Sequence, residues 1–260
     1  MCLLIVLHKV HPEAPLLIAA NRDELLARPA VAMTVLQQKG PRILGGRDEV
    51  AGGTWLATNE HGVVAGLTNL PSVNGRDPSR RSRGELPLAL AQHETAARAV
   101  EVFAREHRPR DYNPCWILVG DATSLFYVDM TNGDTPQVRE LASGIHVLEN
   151  RPLEVDSPKV EQVQALLGGV MPRRGDELVS ALTAVVASHI IPERILREPH
   201  PVYPSEAAAP CVHAGMYGTR SSSVIRVLPG AKPRLWSADG TPCTAPMREV
   251  SALWSGDDVA

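Results

Sequence analysis

The sequence predicts an α+β fold in which helices are layered on antiparallel sheets. Short apolar runs typical of strands fill the first 70 residues, helical periodicity is concentrated in the middle of the chain, and strand patterns return after residue 217. Strands that alternate with helices would indicate a parallel sheet, and that alternation is absent here. Because no internal repeat and no convincing linker interrupts the sequence, we expect a single domain over residues 1–260.

The chain opens with two apolar runs, residues 1–7 and 16–24, which predict a pair of strands. Two prolines lie between them, which suits a hairpin connection and excludes a helix. The second run ends in a polar tetrapeptide at residues 21–24, and burying such a group is unfavourable unless its members pair or bind a ligand. Two interpretations stay open: an ion-pair cluster that fixes the end of a strand, or an active site assembled around Cys2.

Further strands are predicted at residues 42–48 and 63–69, the second after a turn at residues 59–62. The loop at residues 71–84 follows, and it carries Arg76, Arg80, Arg81 and Arg83. This loop is either a solvated, mobile segment or a flexible lid that offers guanidinium groups to an anionic ligand.

Helices are predicted in the centre of the chain. A capping Ser157 followed by a proline is a typical helix start. The predicted helices cover residues 86–107, 158–167 and 175–188. The predicted strands in this half are a hairpin at 116–120 and 125–128, a strand at 145–148, a strand at 217–225 after a loop or lid at 192–211, and edge strands at 234–236 and 248–250.

Composition excludes several classes of function. A net charge of -3 does not favour nucleic acid or an acidic membrane surface as a partner. No apolar run approaches the roughly 20 residues of a transmembrane helix, and four scattered cysteines without a C-x-x-C pair indicate a reduced, cytoplasmic protein. The nine histidines are not clustered in sequence, and Cys211-Val212-His213 is the one Cys-His neighbourhood, so we expect no metal site.

Cys2 has the chemistry of a nucleophile if Met1 is removed. The cysteine would then carry a free α-amine with a pKa of about 8, which can accept the thiol proton without a histidine. Such a site also needs a cation, an orienting carboxylate and an oxyanion donor, and Arg22, Asp23 and Asn69 lie at the ends of predicted strands. Further polar residues at strand ends or turns are Asn150 and Arg220. The rival interpretation is that Cys2 is an inert, buried cysteine.

Several short motifs occur together and in order along the chain. They are Met1-Cys2, Ala20-Asn21-Arg22-Asp23-Glu24, Gly45-Gly46-Arg47-Asp48, Gly52-Gly53-Thr54-Trp55-Leu56, Thr68-Asn69, Ser82-Arg83-Gly84-Glu85-Leu86, Pro158-Lys159-Val160 and Tyr217-Gly218-Thr219-Arg220. In this combination the sequence resembles the NRDE family, which is the transport and Golgi organisation protein 2 family. The usual Leu-Ser-Asn of that family is Leu148-Glu149-Asn150 here, so the asparagine is kept.

The resemblance implies a four-layer αββα sandwich of the N-terminal-nucleophile hydrolase type, with two antiparallel sheets flanked by helices, similar to penicillin V and bile-salt acylases. It implies that Cys2 is nucleophile and base, that Arg22 and Asp23 support it, that Asn69 and Asn150 lie near the oxyanion, and that Arg220 is a more distant arginine of the site. The remaining residues of the motifs that we expect to bind the ligand are Asn21, Glu24, Arg47, Trp55, Thr68 and Arg83.

Two functions are compatible with that resemblance. The first is Cys2-dependent hydrolysis of a non-peptide amide or thioester bond in a small acyl compound, with no cofactor required. The second is a non-catalytic protein that binds and transfers an amphipathic ligand, with haem, acyl-CoA or a lipid as the cargo. The arginine-rich loop at residues 76–83 could contact propionates or phosphates in the second case.

Overall fold

Two antiparallel sheets form the centre of the computed structural model, which describes residues 2–72, 75–200 and 203–256. In chain order the strands are β1 (Leu3–His11), β2 (Ala14–Leu25), β3 (Ala30–Gln37), β4 (Ile43–Asp48), β5 (Leu56–Asn59), β6 (Val64–Asn69), β7 (Cys115–Gly120), β8 (Leu125–Asp129), β9 (Gln137–Glu140), β10 (Gly144–Leu148), β11 (His213–Ala214), β12 (Tyr217–Val227), β13 (Arg234–Asp239) and β14 (Arg248–Glu249). The helices are α1 (Glu85–Leu90), α2 (Ala96–Glu106), α3 (Pro158–Leu167), α4 (Gly175–Val186) and α5 (Glu193–Arg197).

Within the described ranges each sheet has seven strands. The first sheet has the order β10-β1-β2-β12-β13-β14, with β11 paired to β12, and the second has the order β3-β4-β5-β6-β7-β8-β9. The predicted opening hairpin is confirmed, because β1 and β2 pair with Leu3 opposite Asn21. Met1 of the first predicted strand, residues 73–74 of the arginine-rich loop and residues 201–202 of the later loop lie outside the described residues.

Successive residues of a strand face opposite sides of its sheet, so the buried apolar residues form three layers: one between the sheets and one on the outer side of each sheet. Leu4 of β1 packs between the sheets with residues of the second sheet such as Leu118. The neighbouring Leu3 and Ile5 face the other way, against α3 and α4. On the outer side of the second sheet, α1 and α2 pack against residues such as Ile117. The order of layers is therefore αββα, as the family resemblance implies.

One predicted helix is wrong in its extent. The pattern at residues 86–107 forms two helices, α1 and α2, separated by a break. Thr95 ends the break, and its hydroxyl oxygen accepts a hydrogen bond from the Arg98 backbone nitrogen as a helix cap. The Asp121 carboxylate accepts a second hydrogen bond from the Ala96 nitrogen at 2.7 Å. A continuous helix would lose both of these N-terminal contacts.

Strands β3 and β9 are absent from the sequence-based prediction. Both are edge strands of the second sheet, and all four residues of β9 are exposed, so β9 lacks the apolar alternation of a half-buried strand. Conversely, β13 is predicted as an edge strand but lies between β12 and β14, whereas the other predicted edge strand, β14, is at one edge of the first sheet. Across the described part of the chain, no helix is both long enough and apolar enough to cross a membrane.

Candidate active site

A cavity of about 260 Å³ lies where the ends of four strands meet. Cys2 directly precedes β1, while Arg22 and Asp23 are near the end of β2. Asp48 is the last residue of β4, and Asn69 is the last residue of β6. The cavity is lined by Cys2, Arg22, Asp23, Glu24, Arg28, Asp48, Ala51, Gly52, Thr54, Trp55, Leu67, Asn69, Arg76, Arg81, Ser82, Arg83 and Gly84.

Cys2 is buried at this cavity and is held through its backbone. Its nitrogen donates a hydrogen bond to Oδ1 of Asn150 at 2.8 Å. The Nδ2 group of Asn150 in turn donates to the backbone oxygen of Asn69 at 2.5 Å. Asn150 is not among the residues that line the cavity, but its side chain links the backbones of Cys2 and Asn69.

Several neighbouring groups shift the pKa of the Cys2 thiol, some upward and some downward. Burial raises the pKa of Cys2, and the negative charge of Asp23 raises it as well. A hydrogen bond from the Asp23 backbone and the positive charge of Arg22 lower this pKa. The thiol is thus in a site that favours the neutral form unless a nearby base or cation compensates for burial.

Arg22 is a buried cation beside this thiol. One of its guanidinium nitrogens, Nη2, contacts the Asp48 carboxylate at 2.8 Å. The guanidinium carbon also lies 4.6 Å from the centre of the Trp55 ring, which is the geometry of a cation–π interaction. Nη1 of Arg22 is buried and has no hydrogen-bond partner among the residues that the structure describes.

The position of Trp55 depends on a glycine of β4. A Cβ atom added to Gly46 would lie 1.9 Å from the Trp55 ring and 2.6 Å from the Ala32 oxygen. Only glycine allows the indole to lie this close to the strand. The glycine pair in the sequence thus has a packing function: it makes room for the aromatic ring under Arg22.

Asp23 is a buried carboxylate with polar support from two other elements. The Thr219 hydroxyl of β12 donates to its Oδ1 atom at 2.7 Å, and Lys159 of α3 lies 3.9 Å from Oδ2. Burial raises the pKa of Asp23, whereas the positive charge of Lys159 and the Thr219 hydrogen bond lower it. These contacts keep a carboxylate in place at the edge of the cavity.

The rim of the cavity is rich in arginine. Arg28 binds the Asp48 carboxylate through two nitrogens, at 2.8 and 3.0 Å. Arg83 donates to the Pro114 backbone oxygen at 3.2 Å, and burial lowers its pKa. Five arginines and three carboxylates line the cavity within the described ranges, so its charge favours an anionic group.

Only part of the predicted arginine-rich loop faces the cavity. Arg76, Arg81 and Arg83 line it, whereas Arg80 donates to the Tyr112 backbone oxygen at 2.8 Å and does not. Arg81 also forms an ion pair with Glu85, with 2.6 Å between Nη2 of the arginine and Oε2 of the carboxylate.

Besides Asn150, four predicted site residues do not line the cavity. Asn21 faces the helices and donates to the backbone oxygens of Val186 and Pro210, each at 2.8 Å. Thr68 is fully buried on β6 opposite Trp116.

The other two are arginines near the ends of strands. Arg47 is exposed, and its neighbour Asp48 faces the cavity instead. Arg220 lies at a register shift of β12 and contacts Asp239 at 3.1 Å.

Asp48, Lys159 and Thr219 were not assigned a role from the sequence, although each belongs to a family motif. Asp48 holds Arg22, and the other two hold Asp23. Alternation within β4 puts Arg47 and Asp48 on opposite faces, but both faces of this strand are buried, so the pattern does not say which of the two residues meets the cavity. No signal in the sequence connects Lys159 or Thr219 with Asp23, because they come from distant parts of the chain.

A second polar cluster, outside the cavity, also escaped the sequence analysis. The fold brings together four potential metal ligands that sequence spacing keeps apart: His189, Cys211, His213 and Cys243. His189 and Cys211 are 22 residues apart, and His213 and Cys243 are 30 residues apart. Their spacing matches no short metal-binding motif, which is why the sequence did not reveal that four potential ligands converge here.

Comparison with known sequences identifies relatives over most of the chain. The family model described as Transport and Golgi organisation 2 matches residues 1–232. The Transport and Golgi organization protein 2 homolog of Bos taurus is 31% identical over 242 residues, covering 82% of each chain. The Transport and Golgi organization 2 homolog of Mus musculus is 28% identical over 231 residues, with the same coverage of both chains.

Two solved structures with the same architecture are named as hydrolases. The N-acylethanolamine-hydrolyzing acid amidase ortholog of Caenorhabditis elegans aligns with a TM-score of 0.57 at 15% identity, covering 88% of this chain and 95% of that one. The C2A mutant of conjugated bile acid hydrolase from Clostridium perfringens aligns with a TM-score of 0.50 at 12% identity, covering 96% of both chains. The fold is therefore that of the N-terminal-nucleophile hydrolases. The sequence matches place the chain in the Transport and Golgi organisation 2 family.

Proposed function

We propose that this protein is an N-terminal cysteine hydrolase that cleaves a non-peptide amide or thioester bond in a small acyl compound. The observation that carries the proposal is the position of Cys2, which lies at a cavity between Arg22 and Asp23 with its backbone nitrogen fixed by Asn150. The function requires removal of Met1, after which this nitrogen becomes the α-amine of the chain.

The α-amine is the base in the proposed mechanism. With a pKa of about 8 it can accept the thiol proton of the same residue near neutral pH. Asn150 accepts a hydrogen bond from this nitrogen, which orients it. The positive charge of Arg22 favours the thiolate and opposes the effect of burial on the Cys2 pKa.

The thiolate then attacks the carbonyl carbon of the substrate, and the carbonyl oxygen becomes an oxyanion. Asn69 lines the cavity and is fixed by Asn150, so its side-chain amide is our candidate for the oxyanion donor. Collapse of the intermediate expels the amine or thiol, which takes the proton from the α-ammonium group. Water then attacks the acyl-cysteine with the α-amine again as base, and the acid is released.

The cavity also suggests a class of substrate. The arginines that line the cavity favour a compound that carries a carboxylate, sulfonate or phosphate. A volume of about 260 Å³ is just below the ~300–1,000 Å³ typical of pockets for drug-sized ligands. We therefore expect a short acyl group or a small polar head group in the cavity itself.

The structural neighbours support a hydrolase of this type. One is named as hydrolysing N-acylethanolamines and the other as hydrolysing conjugated bile acids, and the variant of the second is a substitution of cysteine 2. Cys2 of the present chain directly precedes the first strand of the same fold. We place the reaction in the cytoplasm, since all four cysteines are free thiols.

The test combines intact mass with hydrolysis assays. Protein expressed without an N-terminal tag should lack Met1 and should release acid from at least one member of a panel of anionic acyl-amides and acyl-thioesters. Cys2→Ala should lose this turnover. A matched variant with a lysine inserted between Met1 and Cys2 keeps the thiol but blocks removal of Met1. Turnover by Cys2→Ala equal to that of the parent would dismiss the nucleophile, and full turnover by the insertion variant would dismiss the α-amine as base.

The alternative is a carrier of haem, acyl-CoA or another amphipathic acid, and the arginine-rich rim is the observation that favours it. In that case titration with haem should give a saturable Soret shift that weakens in an Arg76→Ala/Arg81→Ala double variant and is unchanged in Cys2→Ala. Haem binding that does not saturate, or that has the same affinity in the double variant as in the parent, would count against the carrier.

A further inference from the structure

Two histidines and two cysteines come together away from the cavity. The potential metal-binding atoms of His189, Cys211, His213 and Cys243 all lie within 4.8 Å of one another. They come from three segments: His189 follows α4, Cys211 and His213 flank the start of β11, and Cys243 lies in the loop between β13 and β14. Both cysteines are free thiols, so no disulfide accounts for the convergence of these described side chains.

We propose that this cluster binds a single structural Zn²⁺ ion. Two thiolates and two imidazoles are a typical donor set for zinc, and a tetrahedral site with two sulfur and two nitrogen ligands indicates zinc among the common metals. Four protein ligands leave no open position for water or substrate, which is the pattern of a structural site. Two thiolates, two neutral imidazoles and one Zn²⁺ carry no net charge, so the site is compatible with partial burial.

The distances within the cluster fit such a site. Nε2 of His213 lies 3.8 Å from Sγ of Cys211 and 3.3 Å from Sγ of Cys243. Zn–S bonds of ~2.3 Å and Zn–N bonds of ~2.0–2.1 Å give a tetrahedron with a sulfur-to-nitrogen edge of about 3.6 Å. The two observed separations fall on either side of this value, so small side-chain rotations would complete the coordination.

His189 has a second contact of the kind that orients metal-binding histidines. Its Nδ1 atom lies 3.3 Å from the backbone oxygen of Cys211. When Nδ1 donates a proton to this oxygen, the lone pair needed for a metal is on Nε2. The rings of His189 and His213 are also neighbours, with centroids 4.8 Å apart.

The metal would restrain the backbone at residues 211–213, which contacts Thr219, the residue that supports Asp23. Val212 lies between two ligands, and its nitrogen donates to the Thr219 hydroxyl oxygen at 2.9 Å. The Thr219 nitrogen donates back to the Val212 oxygen at 2.9 Å, and the Thr219 hydroxyl donates to Asp23. A zinc ion on Cys211 and His213 therefore restrains Thr219 through two hydrogen bonds.

Metal analysis of the full chain tests the proposal. The protein is expressed without a polyhistidine tag and purified with a thiol reductant and no chelator. We expect one zinc per chain, and after chelation we expect Co²⁺ to give the visible absorption of a tetrahedral thiolate complex. Cys243→Ala and His189→Gln change exposed side chains, so they should fold normally and lower zinc affinity at least tenfold in competition with a chromophoric chelator.

Matched controls use residues outside the cluster. His61→Gln and Cys115→Ala remove one histidine and one cysteine elsewhere and should leave the zinc content at one per chain. Zinc well below one equivalent, together with Co²⁺ spectra in the parent equal to those of a Cys211→Ser/Cys243→Ser double variant, would overturn the site. So would a parent mass lower by two hydrogens from a Cys211–Cys243 disulfide in metal-free protein that is purified under the same reducing conditions.

Discussion

The backbone nitrogen of Cys2 donates a hydrogen bond to the side-chain oxygen of Asn150 at 2.8 Å, across 148 residues of sequence. The pairing of β1 with β10 produces this contact, because Leu4 lies opposite Leu148 and brings the two strand ends together. Asn150 then reaches the Asn69 backbone on the other sheet. A single amide thus connects the candidate nucleophile with the candidate oxyanion donor.

Asn150→Ala removes both of these hydrogen bonds. We expect hydrolysis of the best substrate to fall by about 10²-fold, because a displacement of ~1 Å between reacting groups has an effect of that order. Steady-state kinetics would measure it. The matched variant Asn150→Asp keeps the acceptor for Cys2 but removes the donor to Asn69, so it separates the two contacts. Parent-like kinetics in Asn150→Ala would contradict a positioning role.

Thr219→Val removes the hydroxyl that donates to Asp23 and accepts from Val212. Each buried polar group left without its partner lowers the free energy of unfolding by about 1–3 kcal/mol. We expect a clear fall in Tm by differential scanning calorimetry, with Thr219→Ser close to the parent because it keeps the hydroxyl. Equal melting of the valine and serine variants would show that the hydroxyl does not stabilise the fold.

Gly46→Ala should disturb Trp55 and, through it, Arg22. The added methyl would lie 1.9 Å from the indole ring, so the ring or the strand must move. Overpacking of this kind typically lowers the free energy of unfolding by about 1–3 kcal/mol. Denaturant unfolding measures this change. Gly169→Ala is the control, since its nearest contact would be an ordinary 3.6 Å.

Stability should fall in acid partly through Asp121. Burial raises the pKa of this carboxyl, but hydrogen bonds from Thr123, Ala96 and Ser124 outweigh burial and hold the pKa below its ordinary 3.8. A lowered folded-state pKa means that the carboxylate stabilises the fold above pH 3.8 and that this contribution is lost as the pH falls through the folded-state value.

Urea unfolding at a series of pH values below neutrality would measure the effect. Asp121→Asn should be less stable than the parent at neutral pH, and the difference should shrink in acid. A difference that stays constant with pH would show that ionisation of Asp121 does not contribute.

The apolar periods of the chain determine much of the fold. The opening hairpin, the β7–β8 hairpin, α3 with its Ser157 cap and the long strand β12 all follow from local patterns. Burial of one face or stripe produces those patterns, so they can be read without knowledge of the partners. The edge strand β9 lacks such a pattern, because all four of its residues are exposed and it is held by pairing with β8. The other edge strand, β3, has a half-buried apolar run that the prediction missed.

The candidate site likewise has a part that the sequence identifies and a part that only the tertiary structure decides. Sequence motifs identify Cys2, Arg22, Asp23 and Asn69, which the structure places at one cavity. Tertiary structure alone decides that Asp48 rather than Arg47 faces this cavity.

Tertiary structure also decides which distant residues converge. Lys159 supports Asp23 from α3, and His189 lies close to Cys243, which comes from a distant part of the sequence. Strand register, strand alternation and helix docking set these contacts, and each depends on the whole chain having folded.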